Sequence, residues 1–154
     1  MAIDRPCFLQ KTGIYPLIRV YATSRLTMRT LASVFKALSD ETRLQMLGLL
    51  LREGELCVCD FVEVLSVTQS KASRHLRYLV NAGLLQDRRS GTWVYFRIVE
   101  QPGPVQTAVL DGLREFLPGQ VSADLMAALK SWRKCKPQGG LACAKAAARV
   151  GRRA

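Results

Sequence analysis

At 154 residues, 49% of them apolar, the chain is long enough for one domain around a single core and short of nothing that would demand disulfide staples. Its 23 Lys and Arg against 12 Asp and Glu give a formal charge of +11, a field that favours a polyanion, and an aromatic content of only 7% points to a duplex rather than to a single strand bound by stacking. No apolar run approaches the roughly 18 residues of a membrane span and Met1-Ala2-Ile3-Asp4 lacks the layout of a secretory signal, so the expectation is a cytoplasmic protein with no membrane partner, whose five cysteines serve as thiols, metal ligands or redox switches.

Residues 1–27 carry no convincing period, broken as they are by Pro6 and Pro16, and are expected to form a loosely ordered extension. Organised sequence begins directly after Met28, which makes that residue an alternative start of translation. From there Leu31, Val34, Phe35 and Leu38 recur at three and four, one face of a short helix. Ser39-Asp40 supplies cap chemistry for a second helix with Leu44, Leu47, Leu50 and Leu51 as its buried stripe, ended by Gly54. A third helix opens at Cys57 or Val58 and runs to about Leu65, with Phe61, Val62, Val64 and Leu65 inward.

After the turn Ser66-Val67-Thr68 comes the stretch around which the rest is arranged, Gln69 to Gly83. At helical spacing Ala72, Leu76, Leu79 and Val80 make one apolar face, Lys71, Ser73, Arg74, Arg77 and Tyr78 cover the remainder, and Gly83 stands where a left-handed helix stop belongs. Two short helices joined by a tight turn, the second basic, are the helix-turn-helix pattern, and such a helix suits the major groove of DNA. Gln69, Ser70, Lys71, Ser73, Arg74 and Arg77 are the candidate base and phosphate contacts; His75, the lone histidine, either touches DNA or packs near the turn. Leu84–Arg88 and Trp93–Ile98, separated by Arg89-Ser90-Gly91-Thr92, read as a β-hairpin, a wing whose tip carries Arg88 and Arg89 with only Asp87 as a nearby acid.

Beyond Pro102-Gly103-Pro104, Val105, Val109, Leu113 and Phe116 describe a further amphipathic helix broken at Pro118-Gly119, and a last helix from about Ser122 buries Leu125, Met126, Leu129 and Trp132. The expected class is therefore mainly α with a small β-hairpin, a winged helix-turn-helix domain over residues 28–133 with additional N- and C-terminal helices, followed by a basic flexible tail, 134–154. The surplus apolar face of the terminal helices predicts a second copy of the chain, a homodimer.

Leu56-Cys57-Val58-Cys59-Asp60-Phe61 resembles the metal-binding box of the ArsR/SmtB family of bacterial metalloregulatory repressors, in particular its arsenic-responsive members. The resemblance continues in order through Ala37–Arg43, Ser73-Arg74-His75-Leu76, Gly83-Leu84-Leu85 and Arg89–Phe96, covering roughly Leu31 to Ile98. It implies a homodimeric winged-helix repressor, not an enzyme and without an organic cofactor, that leaves its DNA operator when trivalent arsenic or antimony binds Cys57 and Cys59. Arsenic repressors with this box often carry a third cysteine where this chain has Val62, so the third donor would be Cys135, Cys143, Cys7 or none; two thiolates suffice for a methylated arsenical.

On a regular helix, side chains two residues apart diverge by about 200°, so Cys57 and Cys59 can share one atom only at a non-helical start of their helix. A helix N-terminus and basic surroundings are expected to lower the thiol pKa. Competing expectations are small buried hydrophobes, an oxidation switch on the same DNA-binding frame, a sensor of another thiophilic metal, and a Cys-X-Cys metal carrier or enzyme, for which no nucleophile and base, phosphate loop or paired carboxylates are found.

Overall fold

A computed structural model describes residues 27–136; the expectations for the N-terminal extension up to residue 26, for the tail beyond residue 136, and for Cys7 and Cys143 lie outside the described residues. Helix α1, Met28–Leu38, is capped by the Thr27 hydroxyl, which accepts the Thr30 N–H. It buries Val34 and Ala37 against the helices that follow, and Phe35, expected on the inner face, is instead 58% exposed. Helix α2, Glu41–Glu53, starts where expected: Asp40 Oδ1 accepts the Arg43 N–H at 3.0 Å, and Gly54, at φ +80°, closes the helix with its N–H on the Leu50 carbonyl. Met46 to Leu50 are all buried, which makes α2 the central helix.

The strand β1, Glu55–Cys57, follows and passes directly into helix α3, Val58–Val64. A tight turn with Ser66 at φ +51° leads to helix α4, Gln69–Asn81. Its cap is Thr68, whose hydroxyl accepts the Lys71 N–H, one residue before the polar pair expected to begin it. At the other end Gly83 adopts φ +72°, its N–H bonding the Val80 carbonyl while the Leu84 N–H reaches the Leu79 carbonyl, the helix stop read from the sequence.

Strands β2, Leu85–Ser90, and β3, Trp93–Ile98, form the wing about Gly91, at φ +59°. The sheet has three strands rather than the two of a hairpin: β1 pairs antiparallel with β3, Leu56 opposite Phe96 and Cys57 opposite Tyr95, giving the order β1-β3-β2. Three residues are too few to display an alternating pattern, so nothing local marks β1 as a strand.

Helix α5, Pro104–Gln120, continues through Pro118 and Gly119 instead of breaking there, although Pro118 brings no N–H to the carbonyl of Arg114. Its inner face is Val105, Leu110, Leu113 and Leu117, and Phe116, expected inside, is 56% exposed. Helix α6, Ala123–Cys135, is capped by Ser122, buries Met126 and Leu129, and runs past the boundary expected at residue 133. Every helix contributes to one core, in which Met46, Leu47, Phe61, Leu76, Leu110 and Leu129 are among the fully buried side chains.

Candidate functional site

The Cys-X-Cys box lies where β1 turns into α3. Cys57 ends the strand with extended backbone, φ −92° and ψ 166°, and is the N-cap of the helix; Cys59 lies in the first turn. The two cysteines are therefore not at successive positions of a regular helix, which is the non-helical start that sharing one ligand requires. Both side chains are buried. Cys57 and Cys135 are free thiols, whereas Cys59 is disulfide-bonded, so a ligand taken up by the pair needs Cys59 reduced.

Asp60, buried to 3% exposure, organises the box. Its Oδ2 accepts the Cys57 N–H at 2.8 Å, satisfying an orphan donor of the helix start, while its Oδ1 accepts from Trp132 Nε1 at 2.9 Å and from Lys136 Nζ at 2.8 Å. The Lys136 ammonium also donates to Cys57 Sγ at 3.1 Å and lies 5.0 Å above the Trp93 ring. Lys136, the residue that caps the end of α6, thus reaches the thiol, and the first residue of β3 stacks on its ammonium. Asp60 is part of the box in the sequence, but Trp132 falls on an apolar helix face and Lys136 in the expected tail; their separation from Cys57 by more than 70 positions leaves no local signal.

The thiol of Cys57 does not follow the expectation of a lowered pKa. Burial pushes it up, the Asp60 carboxylate adds to that, and the hydrogen bond from Lys136 does not outweigh them. For Lys136 burial pulls the pKa down, but the hydrogen bonds to Asp60 and Cys57 prevail and raise it. Among the described residues no three His, Cys, Asp or Glu side chains gather where they could hold a metal ion. Cys57 and Cys59 are soft donors of the kind a thiophilic ligand takes, and Cys135 is exposed on α6.

The second part of the site is the outer face of α4 with the wing. Gln69, Ser70, Lys71, Ser73, Arg74 and Arg77 are all exposed, while Ala72, Leu76 and Leu79 hold the helix to the core. Lys71 and Arg74 have no acidic partner among the described residues; Arg77 is 3.8 Å from Asp87 on β2. His75 is mostly buried, its Nδ1 3.5 Å from Asp40. Burial lowers its pKa, Asp40 opposes, and Arg43, Lys71 and Arg74 add to the lowering. Arg43, itself buried, donates to the Ala37 and Lys36 carbonyls that end α1 and stacks 5.0 Å from the Tyr78 ring, tying α1 and α2 to α4.

On the wing the two arginines differ. Arg88 reaches across β3 to Glu55 on β1, a two-pronged pair at 2.7 and 2.5 Å, and lies 4.8 Å over the Tyr95 ring, so its counter-charge is Glu55 and not Asp87. The hydrogen bond from Arg88 in turn lowers the Glu55 pKa, against a smaller effect of burial. Arg89, exposed near the tip, has no acidic partner among the described residues.

A helix-turn-helix formed by α3 and α4, a wing beside it and unpaired cations on the outer face of α4 define a winged-helix DNA-binding regulator. Residues 40–87 match the family model described as bacterial regulatory protein, arsR family. Over 111 residues the chain is 41% identical to the arsenic resistance transcriptional regulator ArsR1 of Pseudomonas putida, a match covering 72% of this chain and 85% of that one. It is 52% identical over 65 residues to the arsenical resistance operon repressor of Escherichia coli, covering 42% of this chain and 56% of that protein. Among solved structures, HlyU from Vibrio cholerae N16961 aligns with a TM-score of 0.49 at 27% identity, over 60% of this chain and 98% of that one. The chain belongs to the ArsR family of transcriptional regulators.

Proposed function

We propose that this protein is a homodimeric repressor that holds an operator with α4 and the wing and releases it when trivalent arsenic or antimony binds the thiolates of Cys57 and Cys59. The observation that carries the reading is the position of Cys57, at once the last residue of β1 and the cap of α3. Through β1 it is joined to β3 and so to the wing; through α3 it is joined to α4, on which α3 packs. A ligand that draws the Cys57 and Cys59 sulfurs together must alter the strand-to-helix junction, and both DNA-reading elements rest on that junction. The names of the relatives, arsenic and arsenical resistance regulators, support the choice of inducer. Gln69, Ser70, Lys71, Ser73, Arg74 and Arg77 on α4 and Arg89 on the wing are the proposed DNA contacts, with Arg88 and His75 supporting them through Glu55 and Asp40.

The exposed Met28 and Phe35 on α1 and Phe116 on α5 are the proposed centre of the dimer contact, since α1 packs against α5 and each helix leaves large apolar groups exposed. The deciding experiment is an operator-release titration with arsenite, antimonite, cadmium and zinc in a phosphine reductant, on the wild type and on Cys57→Ser and Cys59→Ser. Release by arsenite that both substitutions abolish supports the reading; variants evicted as readily as the parent overturn it.

A second reading, an oxidation switch on the same frame, is favoured by one observation, the disulfide at Cys59. Release by an oxidant such as a disulfide or peroxide, with no response to arsenite in phosphine, would select it.

A further inference from the structure

Lys136 is one of the residues that reach the Cys57 sulfur, and it comes from the far end of the described chain. Its ammonium is fixed from three sides: Asp60 Oδ1 at 2.8 Å, Cys57 Sγ at 3.1 Å, and the Trp93 ring at 5.0 Å. The Asp60 lone pairs are already directed at the Cys57 N–H, the Trp132 indole and Lys136, so the carboxylate is committed to local donors. An ammonium carries three donors and no acceptor. Two of them are used here, on Asp60 and Cys57, and the third meets no oxygen or sulfur among the described residues.

We propose that Lys136 selects the inducer, favouring a neutral trivalent oxyacid of arsenic or antimony, which leaves a hydroxyl on its third valence, over divalent cations and methylated arsenicals. The inference rests on Cys57 and Cys59 being the inducer's ligands. With both thiols reduced by a thiol or phosphine, capture is an exchange without redox change: As(OH)3 and two R–SH give (RS)2As–OH and two H2O. Two As–O bonds break, two As–S bonds form, and each thiol proton leaves with a hydroxyl as water. The hydroxyl left on arsenic is an acceptor that the third Lys136 donor can meet.

A divalent metal bound to Cys57 sits about 2.3 Å from sulfur, and therefore within roughly 5.5 Å of the ammonium as placed here. Two positive charges at that distance in a half-buried site repel, whereas a neutral oxyacid meets no such penalty. A methylated arsenical loses its last hydroxyl to the second sulfur and would set a methyl group against the ammonium, a donor left without an acceptor.

The test is competition binding of arsenite, methylarsonous acid and cadmium to the full chain in phosphine, read by thiolate-to-ligand absorbance and Trp emission, for wild type, Lys136→Met and Lys136→Arg. Lys136→Met is expected to weaken arsenite and strengthen cadmium, moving their affinity ratio by about tenfold or more, and to improve methylarsonous acid relative to arsenite. Lys136→Arg, which keeps a charged donor, should restore most of the wild-type order. Matching circular dichroism melts would establish that each variant is folded. Cysteine-dependent binding with a ratio unmoved by Lys136→Met overturns the inference alone. Binding that persists unchanged in Cys57→Ser and Cys59→Ser overturns it together with the reading beneath it.

Discussion

Cys57 is a free thiol with 1% of its surface exposed, and burial together with the Asp60 carboxylate holds its proton on. Exposed Cys135 should therefore react with iodoacetamide at pH 7.5 well before Cys57 does, and Cys57 should accelerate only as pH rises beyond the ordinary thiol range, which peptide mass mapping of a labelling time course checks. Because the folded thiol keeps its proton more tightly than the unfolded one, the fold has its full stability below the unfolded thiol's pKa and loses some of it as pH climbs through the folded value. Denaturant melts of Cys57→Ser should lack that alkaline decline; a decline identical to wild type would reassign it to other groups. That the Cys57 pKa runs opposite to the sequence expectation has a simple cause. A helix N-terminus is visible in the sequence, whereas the burial of the sulfur beside Asp60 is not.

Among the elements, α2 packs tightly against the end of α5 at Gly48, where an added Cβ would lie 2.6 Å from Cγ2 of Val121, the residue that follows α5. Alanine is the better helix former by about 1 kcal/mol, but overpacking a rigid contact costs about 1 to 3 kcal/mol, so Gly48→Ala should be destabilising on balance. A urea melt with an unchanged or raised midpoint would show that Val121 moves aside at no cost. The wing offers a paired comparison. Arg89→Ala should weaken binding to any duplex and reduce the slope of log K against log salt by about one, while Arg88→Ala should act more through loss of the Glu55 pair and the Tyr95 contact that tie β2 to β1. Filter binding across a salt series at fixed DNA sequence distinguishes them, and equal slopes for the two variants would undo the distinction. In the sequence the two arginines were equivalent, because Glu55 lies 33 positions from Arg88 and the strand that carries it gives no sign of being one.

At the scale of the whole molecule, α1 and α5 leave Phe35 and Phe116 more than half exposed although each falls within its helix's apolar repeat. The repeat is real in both cases; the core of one chain covers only part of it. Phe35→Glu combined with Phe116→Glu should shift sedimentation from dimer to monomer at micromolar concentration and weaken operator binding by the loss of the second half-site. A double variant that sediments as the parent does would place the dimer contact elsewhere. No helix among the described residues is long and apolar enough to cross a membrane.

What the sequence determined by itself is what depends on neighbours within a few positions. The Asp40 cap, the Gly83 stop, the apolar face of α4 and the β2–β3 turn all follow from backbone groups and side chains one helical turn or one hairpin apart, and the Cys-X-Cys spacing with them. Only the tertiary structure decided that Cys57 belongs to a strand as well as to a helix start, that Arg88 answers to Glu55, and that Lys136 and Trp132 return from the end of α6 to Asp60. Those contacts join residues 33 to 76 positions apart. Their partners are chosen by how the helices and the sheet close on a common core, and that closure is a property of the assembled chain rather than of any segment of it.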